Sequence, residues 1–288
     1  MKKQSIILII ILLLHHSISK SQELIDMVDE SFRGIKSIEV TGVFCNLEFE
    51  EGLSSSVLLD GDIRAVKRYE NIRIKYEQNG TLLKVWIEVV YNISGQIKGL
   101  LRFTVPKNIA VTVINTSGNI SVKDIGNDTL KISSISGNIS VNNIQCNAKL
   151  TSTSGSINCN NCSGNIEAKS ENGNIKINNI KGDVIAESIS GELNLINIVG
   201  TINALTACNS IKGSSIMITN NSYFESNSGN IEIDFLNTQK SLSFDLSSET
   251  GILEANKIEN MNKLIITEGT VKITGTTFSG NQKYSCKK

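Results

Sequence analysis

"SGSINCNNCSGNIEAKSENGNIKINNIKG", residues 154–182, admits two readings. Cys159 and Cys162 stand as C-x-x-C, the spacing with which half of a zinc knuckle begins. The same stretch repeats a glycine, then Asn or Ser, then an apolar residue, at an even beat. Working outward, Gly155, Gly164, Gly173, Gly182, Gly191 and Gly200 recur every nine residues. Gly137 lies eighteen before Gly155, and Gly118 nineteen before that. Downstream the phase slips at Gly213 and returns with Gly229, Gly251 and Gly269.

Aligned at eighteen residues, the chain falls into columns. Ile139, Ile157, Ile175 and Leu193 form one; Val141, Cys159, Ile177 and Leu195 another; Ile144, Cys162, Ile180 and Ile198 a third. The alternate half-turn gives Ala148, Ile166, Val184 and Ile202, then Leu150, Ala168, Ala186 and Ala204. Intervening positions such as Ser140, Asn158, Lys176 and Asn194 are polar. Apolar–polar alternation over four or five residues predicts strands with one buried face. Gly and Asn at fixed offsets supply the corners.

The expected fold is all-β, a single-chain parallel β-helix (β-solenoid) with coils of about eighteen residues, stacked about 4.8 Å apart. Right-handed coiling is expected, because parallel crossovers favour it. The Asn column (Asn143, Asn161, Asn179, Asn197) suits an amide ladder. A hydroxyl column, Ser152, Ser170, Ser188 and Thr206, is expected at a tight corner.

On this reading Cys159 and Cys162 are inward core residues, since apolar side chains replace them one coil away. A disulfide and a zinc site are the alternatives, and zinc would need two further ligands. Cys45, Cys146, Cys208 and Cys286 complete the six cysteines, at irregular spacing.

The N-terminus has its own logic. Met1-Lys2-Lys3, the apolar run Ile6–Leu14 and small residues near Ser19 and Ser21 predict a secretory signal peptide over 1–21. The run is shorter than the roughly 20 residues of a membrane span. Removing it takes Lys2, Lys3 and Lys20 from the 28 basic residues, leaving 25 against 28 acidic. A slightly acidic chain argues against nucleic acid as a partner. His15 and His16, the only histidines, leave with the signal, which removes imidazole-based catalysis and imidazole-ligated metals. The expected organisation is signal 1–21, an irregular β-rich cap over 22–105, solenoid over 106–275 and a frayed tail over 276–288. The cap carries most aromatics ahead of the array, Phe44, Phe49, Trp86 and Phe103, and a hairpin turn at Glu77–Gly80.

"FRGIKSIEVTGVFCNLEFEEG" (32–52) and "NIRIKYEQNGTLLKVWI" (71–87) resemble the opening of bacterial autotransporter-adhesin-like domains of unknown function, also called head GIN domains. "FTVPKNIAVTVINTSGNISV" (103–122) and the SGNI-type units resemble the related adhesin-like repeats. The resemblance implies an exported β-helical protein of the periplasm, the outer surface or the medium. This chain carries Asn119, Asn138, Asn165, Asn174 and Asn230 where many such relatives carry Asp.

Functionally, the leading expectation is a non-enzymatic adhesin or envelope module. It would contact a surface or envelope protein or glycan, with no cofactor and no metal. Binding is expected on the cap or at the phase slip, Thr206–Ser228. The alternative is a polysaccharide lyase or hydrolase, which needs paired acids. Acids in the array (Asp124, Asp128, Glu167, Glu171, Asp183, Glu187, Glu192) are scattered, and only Glu171 and Glu187 are spaced to be neighbours. Calcium repeats would need more than Asp183, and an ice-binding face more than Thr151 and Thr153. Sequons at Asn92 and Asn138 are by-products of an Asn/Ser-rich repeat.

Overall fold

Short alternating segments are too small to bury an apolar face alone, so each must find its cover in the next coil. The computed structural model, which describes residues 22–89, 95–126 and 129–287, contains that arrangement. The signal-peptide segment, Asn92 and Asp128 lie outside the described residues. All 25 strands among the described residues join one hydrogen-bonded network.

Each coil has a front and a back strand. The front strands Leu130–Ser134, Ala148–Ser152, Ile166–Ser170, Val184–Ser188 and Ile202–Thr206 pair in parallel at the predicted register. On the back, Ile139 faces Ile157, Ile157 faces Ile175, and Ile175 faces Leu193. Cys159 lies between Val141 and Ile177, and Cys162 beside Ile180. The chain is therefore a parallel β-solenoid with eighteen-residue coils through its middle. Burial alternates accordingly, and Ile157, Ile175, Leu193, Ala186 and Ala204 are fully buried.

The slip at Gly213 has a local cause. Gly213 is not a corner residue; it sits in the inward column between Leu195 and Ile233. A Cβ there would lie 2.8 Å from the Ile233 side chain. The register then shifts between Gly213 and Ile216, with Ser215 left-handed at φ 57°. The step from Ile211 to Ile231 is twenty residues. Its two extra residues enter at the following corner, since Gly200 pairs with Ile218, eighteen residues on, but Asn203 with Tyr223, twenty on.

Both ends depart from chain order. Ser222–Ser226 and Ile231–Thr238 are followed in the stack by Val271–Thr277 and Gln282–Lys287, 51 residues further along. The intervening strand Leu242–Ala255 lies outside that last coil, covering first Val271–Thr277 and then Gln282–Lys287. Ile258–Ile266 folds back on it antiparallel through a two-residue turn, Asn256-Lys257, with φ 53° and 71°. The N-terminal end mirrors this. Ser37–Gly42 and Cys45–Glu51 form a coil between the one begun at Ala110 and the later one of Leu82–Val89 and Ile97–Val105. Antiparallel strands Glu23–Phe32, Val57–Ala65 and Ile72–Asn79 close that end.

The tail is a correction. Residues 276–288 were expected to fray, yet Gln282–Lys287 is an internal strand and Tyr284 is fully buried. Tyr284 packs with Phe224, Phe235 and Phe244 at ring separations of 5.7–6.2 Å. Burying an aromatic of this size outweighs the fraying expected of a polar terminal segment. At the other end Phe49 and Phe103 stack at 4.5 Å, while Trp86 is only half-buried on the outer front surface.

Candidate functional site

The corners come first, because they set every outward position. One corner column contains Gly118, Gly137, Gly155, Gly173 and Gly191, then Gly229 beyond Asn209, and finally Gly280 and Gly251. A Cβ at Gly173 would lie 2.0 Å from the Gly155 carbonyl oxygen, so the column is glycine because the backbones nearly touch. The opposite corner stacks Gly164, Gly182 and Gly200, all at positive φ, above Cys146.

The buried hydroxyls brace the first corner. Ser170 Oγ accepts the Gly173 N–H at 2.9 Å and donates to the Gly155 carbonyl one coil back at 3.1 Å. Ser188 repeats both bonds. Asparagine side chains tie the outer edges: Asn174 Oδ1 accepts the Glu192 N–H and Asn165 Oδ1 the Asp183 N–H, each eighteen residues on. Asn143, Asn161, Asn179 and Asn197 are all left-handed (φ 50–57°). Asn179 donates to Asn161 and Asn197 to Asn179, so these three form an amide ladder, whereas Asn161 donates to Asn142 and Asn143 to Asp124. These glycines and asparagines are thus placed where they hold coils together.

Cys159 and Cys162 point inward, fully buried, and all six cysteines are free thiols. Burial pushes the Cys159 thiol well above its usual range and Cys162 up to about 11. Among the described residues no three Cys, Asp, Glu or His side chains gather as a metal site would require.

Outside the hydroxyl corner runs a groove of about 580 Å³. Its floor is the Ser152, Ser170, Ser188 and Thr206 column. Those hydroxyls are committed to the corner backbone, so the walls hold the groove's free chemistry. The front wall is the outward column Thr151, Lys169, Glu187, Leu205 and Glu225. The ridge is the residue two before each corner residue: Thr153, Glu171, Ile189, Ala207 (ahead of Asn209) and Asn227. A smaller pocket shares Glu225 and Asn227 and carries the groove on to Phe278 and Glu249.

Glu171 and Glu187 do line the same groove. Glu187 is not free, because Lys169 Nζ stands 2.9 Å from it and 3.5 Å from Glu167, which also pairs with Lys149 at 3.0 Å. The Lys149 hydrogen bond lowers the Glu167 pKa, and the hydrogen bond to Glu187 raises that of Lys169. Among the described residues Glu171 has no ion pair. Tyr223 donates its hydroxyl to Glu225. Of the two regions where binding was expected, the groove reaches only the phase slip, through Thr206, Ala207 and Asn227. Its longer part lies on the regular array. The available clue was Ile135 and Ile189, apolar residues at an outward position.

Among the described residues no helix is long and apolar enough to cross a membrane. A family model described as Toastrack DUF4097 matches residues 87–257. A crystal structure of a protein described as a "putative adhesin", from Bacteroides fragilis, is 13% identical. It covers 92% of this chain and 98% of its own, with a TM-score of 0.46. A "putative cell adhesion protein" from Clostridium sporogenes is 10% identical, covering 91% and 100%, with a TM-score of 0.24. Likenesses this distant carry no argument about function. No curated protein matches the chain.

Proposed function

From the premise that the chain belongs to the Toastrack family of β-helix-like domains of unknown function, we propose that it is an exported, non-enzymatic binding module. It acts as an adhesin-like or envelope protein of the SGNI-repeat kind, and the groove along the hydroxyl corner is its binding face. One observation carries this reading: a continuous concave surface whose floor is spent on the fold while its walls vary from coil to coil. A rigid ladder that presents changing side chains at fixed intervals suits recognition of an elongated partner.

A polysaccharide-cleaving reading would use Glu171 and Glu187. It is disfavoured because Lys169 already neutralises Glu187, and no aromatic side chain lines the part of the groove that holds this pair. The test uses the purified mature chain and isolated bacterial envelopes. Replacing Ile189 and Leu205 with aspartate should cut envelope binding at least about tenfold with the fold intact. Undiminished binding would refute the groove as the face, and release of reducing sugar ends from polysaccharide would refute the non-enzymatic reading. Protease access to a tagged copy on intact cells locates the protein: cleavage fits a surface adhesin, protection an envelope-internal module.

A further inference from the structure

The ridge beside the groove carries a pattern of its own. Taking the residue two before each corner residue, the stacking order is Ile135, Thr153, Glu171, Ile189, Ala207, Asn227, Phe278. Phe278 belongs here although distant in sequence, because its N–H donates to the Asn227 carbonyl. The three large apolar members, Ile135, Ile189 and Phe278, are 54%, 56% and 59% exposed. Each is three coils from the next. At about 4.8 Å per coil that interval is roughly 14 Å.

An extended polypeptide advances about 3.4 Å per residue and turns every second side chain to the same face. Four residues therefore span about 13.6 Å and return to that face. The apolar interval of the ridge matches a peptide with a large apolar residue at every fourth position. Charge narrows the choice. Three carboxylates, Glu171, Glu187 and Glu225, line the groove against one ammonium, Lys169, which is already held between Glu187 and Glu167. Glu171 falls between the first two apolar ridge residues and Glu225 alongside the interval between the last two. A glycan would want stacked rings, and Phe278 is the sole aromatic on this ridge.

Resting on the groove as the binding face, we infer that its occupant is an extended peptide segment with large apolar residues every fourth position and basic residues between them. The probe is a labelled peptide of about nine residues built from Leu-Ser-Arg-Ser repeats and ending on leucine, sized to span two such intervals. One control moves leucine to every third position, and a second replaces arginine with glutamate. Fluorescence anisotropy on the full chain should show the first peptide binding at least about tenfold tighter than either control, with affinity falling as salt rises. Ile189→Ser and Glu171→Lys should each weaken it about tenfold while leaving the thermal midpoint unchanged.

Equal binding of all three peptides, or indifference to both substitutions, would overturn the inference. So would binding of neutral oligosaccharides that the two substitutions abolish, and that result would leave the groove itself standing. Envelope binding that survives aspartate at Ile189 and Leu205 would remove the groove and the inference together.

Discussion

Between Ile139 and Ile218 stacking order and chain order coincide; beyond Ser222 they part. In the middle each coil covers the edge of the one before, and the interior is filled by aliphatics and alanines, with Ala168, Ala186 and Ala204 in one column. A terminal coil has no successor. At the C-terminal end the chain therefore lays a strand outside, turns back, and inserts its last coil beneath it. The filling changes too. Tyr284 and Gln282 are accommodated by Gly275, where a Cβ would lie 2.3 Å from the Tyr284 hydroxyl and 2.1 Å from Gln282 Oε1. The middle is specified by repetition, the end by particular fits.

Four substitutions probe that contrast by equilibrium chemical denaturation. Tyr284→Ala empties the largest fully buried side chain of the end and should cost about 4 kcal/mol. A cost under about 1 kcal/mol would mean the terminal coil contributes little to closure. Gly173→Ala should cost about 3 kcal/mol, since its Cβ meets a backbone oxygen at 2.0 Å that the neighbouring coil fixes. Gly275→Ala should cost less, about 2 kcal/mol, because it meets the tips of the Gln282 and Tyr284 side chains. The reverse ranking would break the distinction between a repeat-fixed backbone and an adjustable end. Ser170→Ala strands a buried N–H and a carbonyl that share one hydroxyl, at about 2 kcal/mol.

How much of this was legible follows the same division. Ile157 and Ile175 could be paired from sequence because a constant eighteen residues separates them. Ser222 and Ile273 could not, because the 51-residue step reflects a return of the chain that no local spacing records. Gly213 misled for a related reason: it keeps glycine for a neighbouring Ile233, not for a corner. The cysteines were readable, since Val141 and Ile177 occupy the same column as Cys159. The groove was not. The outward position along its ridge is filled by Thr, Glu, Ile, Ala or Asn, so only the outward isoleucines Ile135 and Ile189 hint at it.

The smallest effect is one of pH. An unfolded cysteine ionises from about pH 9, whereas folded Cys162 keeps its proton to about 11. Above pH 9 the unfolded state thus binds fewer protons, and stability falls as pH rises. Replacing Cys159 and Cys162 with valine should flatten that decline between pH 9 and 11 and change little at pH 7. An unchanged slope would place these thiols outside the core.

Stacking order at the C-terminal end is tested most directly by paired cysteines. Glu232→Cys with Lys283→Cys joins register partners 51 residues apart, within disulfide reach under mild oxidation. Glu232→Cys with Glu254→Cys joins positions that lie on opposite sides of Lys283, about 9.6 Å apart and out of reach. The fold described here predicts cross-linking of the first pair alone. Cross-linking of the second pair and not the first would mean that the coils simply follow one another along the chain.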